Sequence, residues 1–222
     1  MERTGALNVV TSAFDFQEKG WVYLPYRFEA RALSSLSPLG LHMGRGQRLT
    51  NMSALADKLP LGFKIDIAEL GFNPTPLRAV GFNKSKEMNW SLPWHQDRII
   101  AMTEKISHPD YKNWSRKSGI WHCEPKPAIL GQMAFAYIAF DNIEDGMGGL
   151  ELAEGTHKFG SIPEGEIETQ LKTAVKIRPD MKIGEVILVS ALTLHRSAPM
   201  TTIGKRRSLR LDFARPALNL SK

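Results

Sequence analysis

The sequence predicts a mainly β protein, an antiparallel barrel or sandwich with helices near its N-terminus. Beyond residue 72 the chain alternates short apolar runs with turn signals such as Asn73-Pro74 and Asp145-Gly146. No regular helical pattern lies between these runs, so alternating strand–helix units are disfavoured. Several short strands without intervening helices are typical of closed or sandwiched antiparallel sheets.

Two segments in the N-terminal third carry helical signals. The first covers residues 25–36, where Pro25 can open a helix and Pro38 stops it. The second covers residues 53–59 and ends at Pro60 and Gly62. We therefore expect short helices to pack outside the sheets.

Seven segments are predicted to be strands because they are short apolar runs separated by turn residues. The run before His195 is strongly apolar, and the last one alternates polar and apolar residues. The seven segments are residues 77–83, 92–102, 132–141, 149–153, 175–178, 186–194 and 207–214.

Length and composition limit the class of protein. The chain has 222 residues and a mass of 24.9 kDa, with 42% apolar and 23% charged residues. This fits one domain spanning residues 1–222 and excludes disordered, collagen-like and fibrous chains. No apolar stretch reaches the roughly 18–20 residues of a membrane-spanning helix, and from residues 1–5 we expect no secretory signal. Cys123 is the single cysteine, so we expect a reducing compartment, the cytoplasm.

The charge balance is basic, with 29 Lys and Arg against 23 Asp and Glu. Such a balance suits nucleic acid or small anionic substrates. The basic residues are scattered, with one cluster at residues 205–210, and no zinc-finger or RNA-binding motif is present. The sequence therefore favours a small-molecule substrate over nucleic acid, and it gives no information on oligomeric state.

Two histidines and a carboxylate stand out as candidate metal ligands. His95 and Asp97 are two residues apart, so on a strand their side chains project from the same face. His195 follows the apolar run far downstream. Two imidazoles and one carboxylate cover one side of a metal ion and leave the other open, as in non-haem Fe(II) oxygenases. Arg206 follows, and its guanidinium can pair with a carboxylate of a dicarboxylate co-substrate.

Three segments resemble the phytanoyl-CoA dioxygenase family of Fe(II)- and 2-oxoglutarate-dependent oxygenases. They are residues 89–97, 148–158 and 184–189, and the resemblance extends from about residue 8 to residue 213. The resemblance implies a double-stranded β-helix core, the jelly roll of cupin-like proteins, with flanking N-terminal helices. It also implies that Fe(II) is the metal and that 2-oxoglutarate and O₂ are co-substrates.

Carried over to this sequence, the resemblance implies that His95, Asp97 and His195 are the iron ligands. Two departures from the family pattern occur nearby. Met200 replaces a frequent asparagine, and Ala153-Glu154 replaces an apolar residue followed by proline. Neither departure touches the three ligands, so they concern loop geometry rather than chemistry.

The resemblance also assigns four residues to 2-oxoglutarate. Arg206 and Ser197 hold its distal carboxylate, Tyr137 lies beside it, and Lys84 is a basic residue near the same pocket. Strand alternation complicates the first assignment, because a rule that buries the apolar face would turn Arg207 inward. The motif spacing favours Arg206, since a catalytic barrel lines its cavity with polar groups.

Together these residues predict an enzyme that hydroxylates an aliphatic carbon of a small molecule and releases succinate and CO₂. Asp97 favours hydroxylation, because similar halogenases lack this carboxylate and leave room for chloride. Two alternatives stay open. One is a metal-binding, cupin-like protein that uses no 2-oxoglutarate, and the other is a nucleic-acid demethylase on the same core.

The substrate pocket is predicted to combine apolar walls with cationic or polar anchors. Such a lining suits a molecule with an apolar body and an acidic or polar handle. The modest chain length favours a free metabolite over a coenzyme-A ester. The candidate substrate residues are Arg98, Met102, Trp121 and His122, with Arg45 or Arg48 from the N-terminal region.

Overall fold

The computed structural model describes residues 5–37, 45–49, 52–117 and 119–216, without the side chains of residues 5–11, 45 and 47. Short 3₁₀ turns cover Thr156–Phe159 and Glu164–Glu166. No helix within these ranges is long and apolar enough to cross a membrane. The helices are α1 (Gly5–Lys19), α2 (Ala30–Leu36), α3 (Met52–Lys58), α4 (Leu61–Glu69), α5 (Pro127–Leu130) and α6 (Ile167–Thr173).

Most of the described chain is in strands or the turns between them. In chain order the strands are β1 (Trp21–Tyr23), β2 (Arg45–Leu49), β3 (Arg78–Ser85), β4 (Leu92–His95), β5 (Ile100–Met102), β6 (Tyr111–Lys117), β7 (Ile120–Pro125), β8 (Met133–Ala139), β9 (Leu150–Ala153), β10 (Lys176–Ile177), β11 (Val186–Ser190), β12 (His195–Ser197) and β13 (Lys205–Ala214).

The strands form antiparallel sheets that build a jelly roll. A six-stranded sheet has the order β1-β11-β8-β13-β3-β2, and a four-stranded sheet has the order β10-β9-β12-β4. These two sheets are the halves of a double-stranded β-helix, and a third sheet, β5-β7-β6, lies beside them. The predicted fold class, mainly β with flanking N-terminal helices, is confirmed.

The two faces of the six-stranded sheet serve different purposes. On the outer face, Ile138 of β8 packs with helix residues such as Leu55 and Phe63. On the inner face, Tyr137 of the same strand packs with Leu152 of the four-stranded sheet. Because side chains alternate along a strand, the helices cover one face while the other is left to line the interior of the barrel.

The first predicted helix is wrong at its start, because residues 25–29 are not helical. Here the chain runs beside the beginning of β11 instead. The N–H groups of Leu24 and Phe28 donate hydrogen bonds to the carbonyl oxygens of Val186 and Gly184, at 2.9 and 2.8 Å. This pairing keeps the segment extended until α2 begins. The second predicted helix is confirmed as α3, shifted by about one residue.

The strand predicted over residues 92–102 is two strands in two different sheets, β4 and β5. Gln96 accounts for the break. Its side-chain amide donates to the carbonyl oxygens of Gly160 and Leu192 at 2.8 and 2.7 Å, and its side-chain oxygen accepts from the N–H of Ile162 at 2.7 Å. These contacts draw the chain out of the sheet immediately after His95.

The apolar run predicted as one strand up to residue 194 also ends early. β11 stops at Ser190, and a turn follows in which the N–H of Thr193 donates to the carbonyl of Ser190 at 3.0 Å. The hydroxyl of Thr193 donates to the carbonyl of Gly20 at 2.9 Å. The chain thereby crosses to the other sheet, and His195 begins β12 rather than ending β11.

Candidate metal centre

Two histidines and one aspartate converge where β4 and β12 lie side by side. His95 and His195 are direct partners in the antiparallel register, and the centroids of their rings are 4.3 Å apart. Asp97 lies beyond the end of β4, with its Oδ2 atom 3.9 Å from Nε2 of His195. One ligand atom from each residue lies within 4.8 Å of the others. The sequence prediction that these three residues come together is therefore confirmed.

Backbone hydrogen bonds prepare both imidazoles for coordination through Nε2. Nδ1 of His95 lies 2.8 Å from the carbonyl oxygen of Pro93, and Nδ1 of His195 lies 2.9 Å from that of Thr193. A carbonyl oxygen can only accept, so in both rings Nδ1 carries the proton. The lone pair of Nε2 is then free for a metal ion, and the backbone carbonyl fixes the orientation of the ring.

A buried arginine holds the third ligand. Nη1 and Nη2 of Arg210 donate to Oδ1 and Oδ2 of Asp97 at 3.2 and 2.7 Å. Nε of Arg210 donates to Oδ1 of Asp212 at 2.6 Å, and the guanidinium lies 4.0 Å from the centroid of the Phe135 ring. Contacts on three sides leave Arg210 one orientation, and this fixes the carboxylate of Asp97.

The local electrostatics keep the triad in the protonation states that a metal ion requires. Burial alone would raise the pKa of Asp97, but the Arg210 guanidinium and the neighbouring His195 hold it well below its usual range. Burial lowers the pKa of His195 to about 4. Near neutral pH the site therefore presents an ionised carboxylate and a neutral imidazole, and neither has to lose a proton to bind metal.

Two of the three ligands, His95 and His195, line a space between the two main sheets, which we call the inner cavity. Arg206 lies at its far side, is only 2% exposed, and donates from Nη1 to the Tyr137 hydroxyl at 2.6 Å. Its Nε atom is buried without a hydrogen-bond partner. The lining residues include Phe82, Trp90, Phe135, Leu150, Ser197 and Arg206.

The inner cavity is built for an anion. None of its lining residues is acidic, while two of them, Arg206 and Arg210, are arginines. Arg210 is paired with carboxylates, but within the described ranges Arg206 has no carboxylate at ion-pair distance. A buried charge without a partner is costly. A ligand carboxylate at Arg206 removes that cost.

A second space, the outer cleft, lies on the other side of the triad and has a volume of about 370 Å³. It shares His95 with the inner cavity and adds Asp97. Its walls also include Arg78, Trp94, Arg98, Ile99, Glu164 and Ile167. The metal ligands therefore separate two spaces, and each space borders at least one of them.

Comparison with models of protein families shows to which family the chain belongs. The model of the phytanoyl-CoA dioxygenase (PhyH) family matches residues 66–208, which includes the whole triad. The chain belongs to this family. The resemblance inferred from the motifs is thereby confirmed. No curated protein sequence matches the chain.

Solved structures share the fold at low sequence identity. AviO1 from Streptomyces viridochromogenes is 15% identical, covers 96% of this chain and 98% of its own, and gives a TM-score of 0.64. The α-ketoglutarate-dependent epimerase SnoN from nogalamycin biosynthesis is 12% identical, with 94% and 83% covered and a TM-score of 0.66. EctD from S. alaskensis is 13% identical, with 96% and 79% covered and a TM-score of 0.64.

Fe(II) and 2-oxoglutarate (α-ketoglutarate) are the cofactors of the family, and the site fits both. His95, Asp97 and His195 supply the two imidazoles and one carboxylate that suit non-haem Fe(II). The inner cavity contributes an arginine with an unpaired buried donor and no competing acid. A dicarboxylate that reaches from the metal to Arg206 matches this distribution of charge.

Ser197 and Lys84 adjoin the same end of the inner cavity. The ammonium group of Lys84 donates to the Ser197 hydroxyl at 2.9 Å and to the carbonyl oxygens of Ala198 and Gly148 at 2.6 and 3.4 Å. All three of its N–H bonds thus have protein acceptors, and Lys84 is not among the residues that line the cavity. The hydrogen bond from Lys84 orients Ser197, and Ser197 separates the charge of Lys84 from the cavity.

The charge of Lys84 should make 2-oxoglutarate binding sensitive to pH. Burial and the nearby Arg206 cation lower the pKa of Lys84 to about 7, so the side chain is mostly charged below that pH and mostly neutral above it. A charged Lys84 attracts a dianion. We expect the Kd for 2-oxoglutarate, measured on Mn(II)-loaded protein, to rise several-fold between about pH 6.5 and 8.5.

Lys84→Met is the matched variant for this test, because it keeps the length of the side chain and removes the charge. Its Kd should be higher at the acid end, and the dependence on pH should be flatter. The same pH dependence in the variant and in the wild-type protein would show that another group is responsible.

The structure distinguishes the two neighbouring arginines of β13. Arg206 points into the inner cavity, as the motif spacing predicted. Arg207 points away and pairs with the Asp141 carboxylate, with Nη2 donating to Oδ1 at 2.7 Å. The naive alternation rule fails because the apolar face of β13 packs under the helices, where Leu211 and Phe213 are fully buried.

The four candidate substrate residues do not share one location. Arg98 lines the outer cleft, and its Nη2 donates to the carbonyl of Ile162 at 2.7 Å. Met102 and Trp121 pack instead in an apolar cluster of the third sheet. His122 is 1% exposed. None of these last three lines the inner cavity or the outer cleft, and their assignment to the substrate stays a prediction.

The N-terminal candidates have a different outcome. The side chain of Arg45 lies outside the described residues. Arg48 is partly buried, with its Nε atom lacking a hydrogen-bond partner. Burial and the neighbouring Arg78 cation lower the pKa of Arg48. Arg48 therefore adds positive charge near Arg78, which lines the outer cleft.

Sequence reasoning assigned no site role to three residues that shape the site, Arg78, Arg210 and Asp212. One signal was available, since Arg206, Arg210 and Asp212 alternate along one face of β13. A row of polar residues on one face of a strand opposite a Leu and Phe face indicates a polar interior. The partners of these residues come from distant strands, so the pairing itself has no sequence signal.

Proposed function

We propose that this protein uses Fe(II), 2-oxoglutarate and O₂ to hydroxylate an aliphatic carbon of a small-molecule substrate, with release of succinate and CO₂. One observation carries the proposal: two of the metal ligands, His95 and His195, line the same cavity as the guanidinium of Arg206, and no acidic residue lines that cavity. A metal-binding protein that does not use 2-oxoglutarate has no need of a buried arginine without a carboxylate partner at this place.

The residues of the site have separable tasks. Bound together, Fe(II) and 2-oxoglutarate supply the oxidation of a C–H bond, in which 2-oxoglutarate is decarboxylated to succinate. His95 and His195 present Nε2 to the metal, and Arg206 holds the distal carboxylate. Ser197 lies beside it, and its hydroxyl, which donates to the carbonyl oxygen of Gly148 at 3.0 Å, turns to the carboxylate when 2-oxoglutarate binds. Tyr137 accepts hydrogen bonds from Arg206 and from Ser208, at 2.6 and 2.7 Å, and so holds the guanidinium in place.

Apolar side chains line the inner cavity and limit its contact with water. The cavity is lined by Phe82, Trp90, Phe135 and Leu150. The ring of Trp90 contacts the cations of Lys84 and Arg206, with its centroid 4.8 Å from Nζ of Lys84. Exclusion of water strengthens the pairing between a guanidinium and a carboxylate, because the local dielectric constant is lower. The same exclusion limits the loss of oxidising equivalents to side reactions.

The fold alone does not decide the reaction, since similar structures include an epimerase and a carbocyclase. An epimerase must return a hydrogen atom to the substrate carbon, and tyrosine and cysteine side chains are suited to that. Among the described residues that line the inner cavity and the outer cleft, the only one of these types is Tyr137. Tyr137 lies against Arg206 in the inner cavity, and neither residue type is among the described residues that line the outer cleft. This placement favours hydroxylation.

The test is to screen small organic acids for succinate release above the substrate-free rate and to analyse the products by mass spectrometry under ¹⁸O₂. We expect each product molecule to gain one labelled oxygen atom and to accompany one molecule of succinate. A product of unchanged mass formed with equal succinate would show epimerisation instead. Loss of two hydrogen atoms would show ring closure or desaturation.

A further inference from the structure

The outer cleft has the size and composition of a binding site for a small molecule. Its volume of about 370 Å³ lies within the usual range for ligand pockets. Trp94, Ile99 and Ile167 give it apolar walls, while His95 and Asp97 place the metal site at its side. The substrate of the proposed reaction must lie close to the metal, and the outer cleft offers that position while the inner cavity takes 2-oxoglutarate.

One cation in the outer cleft is fixed but not fully paired. Nε of Arg78 donates to Oδ2 of Asp212 at 2.5 Å, and the side chain is 11% exposed. Its two terminal amino groups have no hydrogen-bond partner in the described part of the chain. A guanidinium anchored through Nε keeps its outer edge in a fixed orientation, and that edge matches the two oxygens of a carboxylate.

The surrounding charges add to the attraction for an anion. Asp97 and Asp212 balance Arg78 and Arg210, but Arg48 adds a further cation that interacts with Arg78, and the bound Fe(II) adds more positive charge. Arg98 lies in the cleft wall as well, and the acidic Glu164 is on the exposed rim. A cationic substrate would meet repulsion at this end of the cleft.

We propose that the substrate is an organic acid with an apolar body and that Arg78 binds its carboxylate in the outer cleft. This inference rests on the proposed function, since it places the substrate beside the same triad. The apolar body would lie along Trp94, Ile99 and Ile167, and the carbon to be oxidised would lie between these walls and the metal. Arg78 then determines specificity, because it selects for charge at a fixed distance from the metal.

The experiment compares acids with uncharged molecules of the same shape. Hexanoate, octanoate, phenylacetate and hydrocinnamate are each titrated, beside the corresponding carboxamide, into protein loaded with Co(II) and 2-oxoglutarate. The visible spectrum of Co(II) reports binding near the metal. We expect the acids to bind and to perturb the spectrum, and each acid that binds should do so roughly tens-fold more tightly than its amide.

Variants connect this preference to the proposed residue. Arg78→Lys keeps the charge that Asp212 needs but loses the paired donors, and Arg78→Gln removes the charge. The ratio of acid to amide affinity should fall in the order wild type, Arg78→Lys, Arg78→Gln. Arg207→Gln, which removes a guanidinium that faces away from both cavities, is the matched control and should keep the wild-type ratio.

Two results would overturn the inference: absence of any preference for the acids in the wild-type protein, or an unchanged preference in both Arg78 variants. Failure of the proposed function looks different. It would appear as absence of 2-oxoglutarate binding to the metal-loaded protein before any acid is added. The 2-oxoglutarate titration is therefore run first on every variant, and the acid titrations are interpreted against it.

Discussion

Asp97→Ala should remove nearly all bound iron and abolish turnover of 2-oxoglutarate, while the protein stays folded. The variant loses the single anionic ligand of the triad and also leaves the buried cation of Arg210 with one carboxylate partner instead of two. Both changes raise the cost of placing a divalent cation at this site. Iron content after anaerobic loading, measured together with the circular dichroism spectrum, checks the result.

His95→Ala and His195→Ala should show the same loss, because each removes an imidazole whose Nε2 is free for the metal. His108→Ala is the matched control. His108 lies in a loop, is partly exposed and pairs weakly with Asp110, so its replacement should leave iron content unchanged. If all three triad variants keep wild-type iron content and turnover, the assignment of the metal centre is wrong.

Arg206→Gln should raise the Kd for 2-oxoglutarate by tens-fold or more, because it removes the bidentate partner of a desolvated carboxylate at a cost of roughly 2–5 kcal/mol. The adjacent Arg207→Gln makes the same chemical change on the same strand but breaks only a partly exposed pair with Asp141. Its effect on this Kd should stay within about twofold. Isothermal titration of Mn(II)-loaded proteins measures both values.

A larger effect of Arg207→Gln than of Arg206→Gln on the Kd for 2-oxoglutarate would mean that the polar face of β13 does not hold the co-substrate. A large effect of both variants would indicate that the strand has shifted, so the thermal unfolding midpoint of each is measured alongside. Arg207→Gln is the control for such a shift, because a substitution that disturbs β13 as a whole should raise the Kd in both variants.

The sequence predicted the metal ligands better than the strands that carry them. His95 and Asp97 were expected on one continuous strand, yet β4 ends at His95 and Gln96 pulls the chain away. The two ligands still meet, because residues two positions apart stay close along either an extended segment or a bend. A short-range motif survives such a change of local structure.

Features that depend on distant partners could not be predicted in the same way. The hydrogen bonds from Arg210 to Asp97 join β13 to the segment after β4. Nothing in the sequence of either segment identifies the other as its partner. Met102 and Trp121 were expected in the pocket because large apolar residues suit both a core and a pocket wall. Their place in a separate apolar cluster follows from the pairing of β5 with β7, and no strand was predicted over the residues of β7.

The hairpin of β6 and β7 was missed for a related reason. β6 contains mostly polar residues and is largely exposed, so it lacks the apolar run that indicates a strand. Its pairing with β7 supplies the stability that its composition does not. By contrast β8, which is buried along its whole length, was predicted within about two residues at each end.

The proposed function requires the triad and Arg206 to hold Fe(II) and 2-oxoglutarate together. The most direct measurement is an anaerobic titration of the Fe(II)-loaded protein with 2-oxoglutarate, following the visible charge-transfer absorption that arises when a 2-oxo acid chelates Fe(II). We expect a saturable band in the wild-type protein. In Arg206→Gln, tens-fold more 2-oxoglutarate should be needed to reach half of that band. No band in the iron-loaded wild-type protein, or the same titration curve in both proteins, would contradict the proposed function.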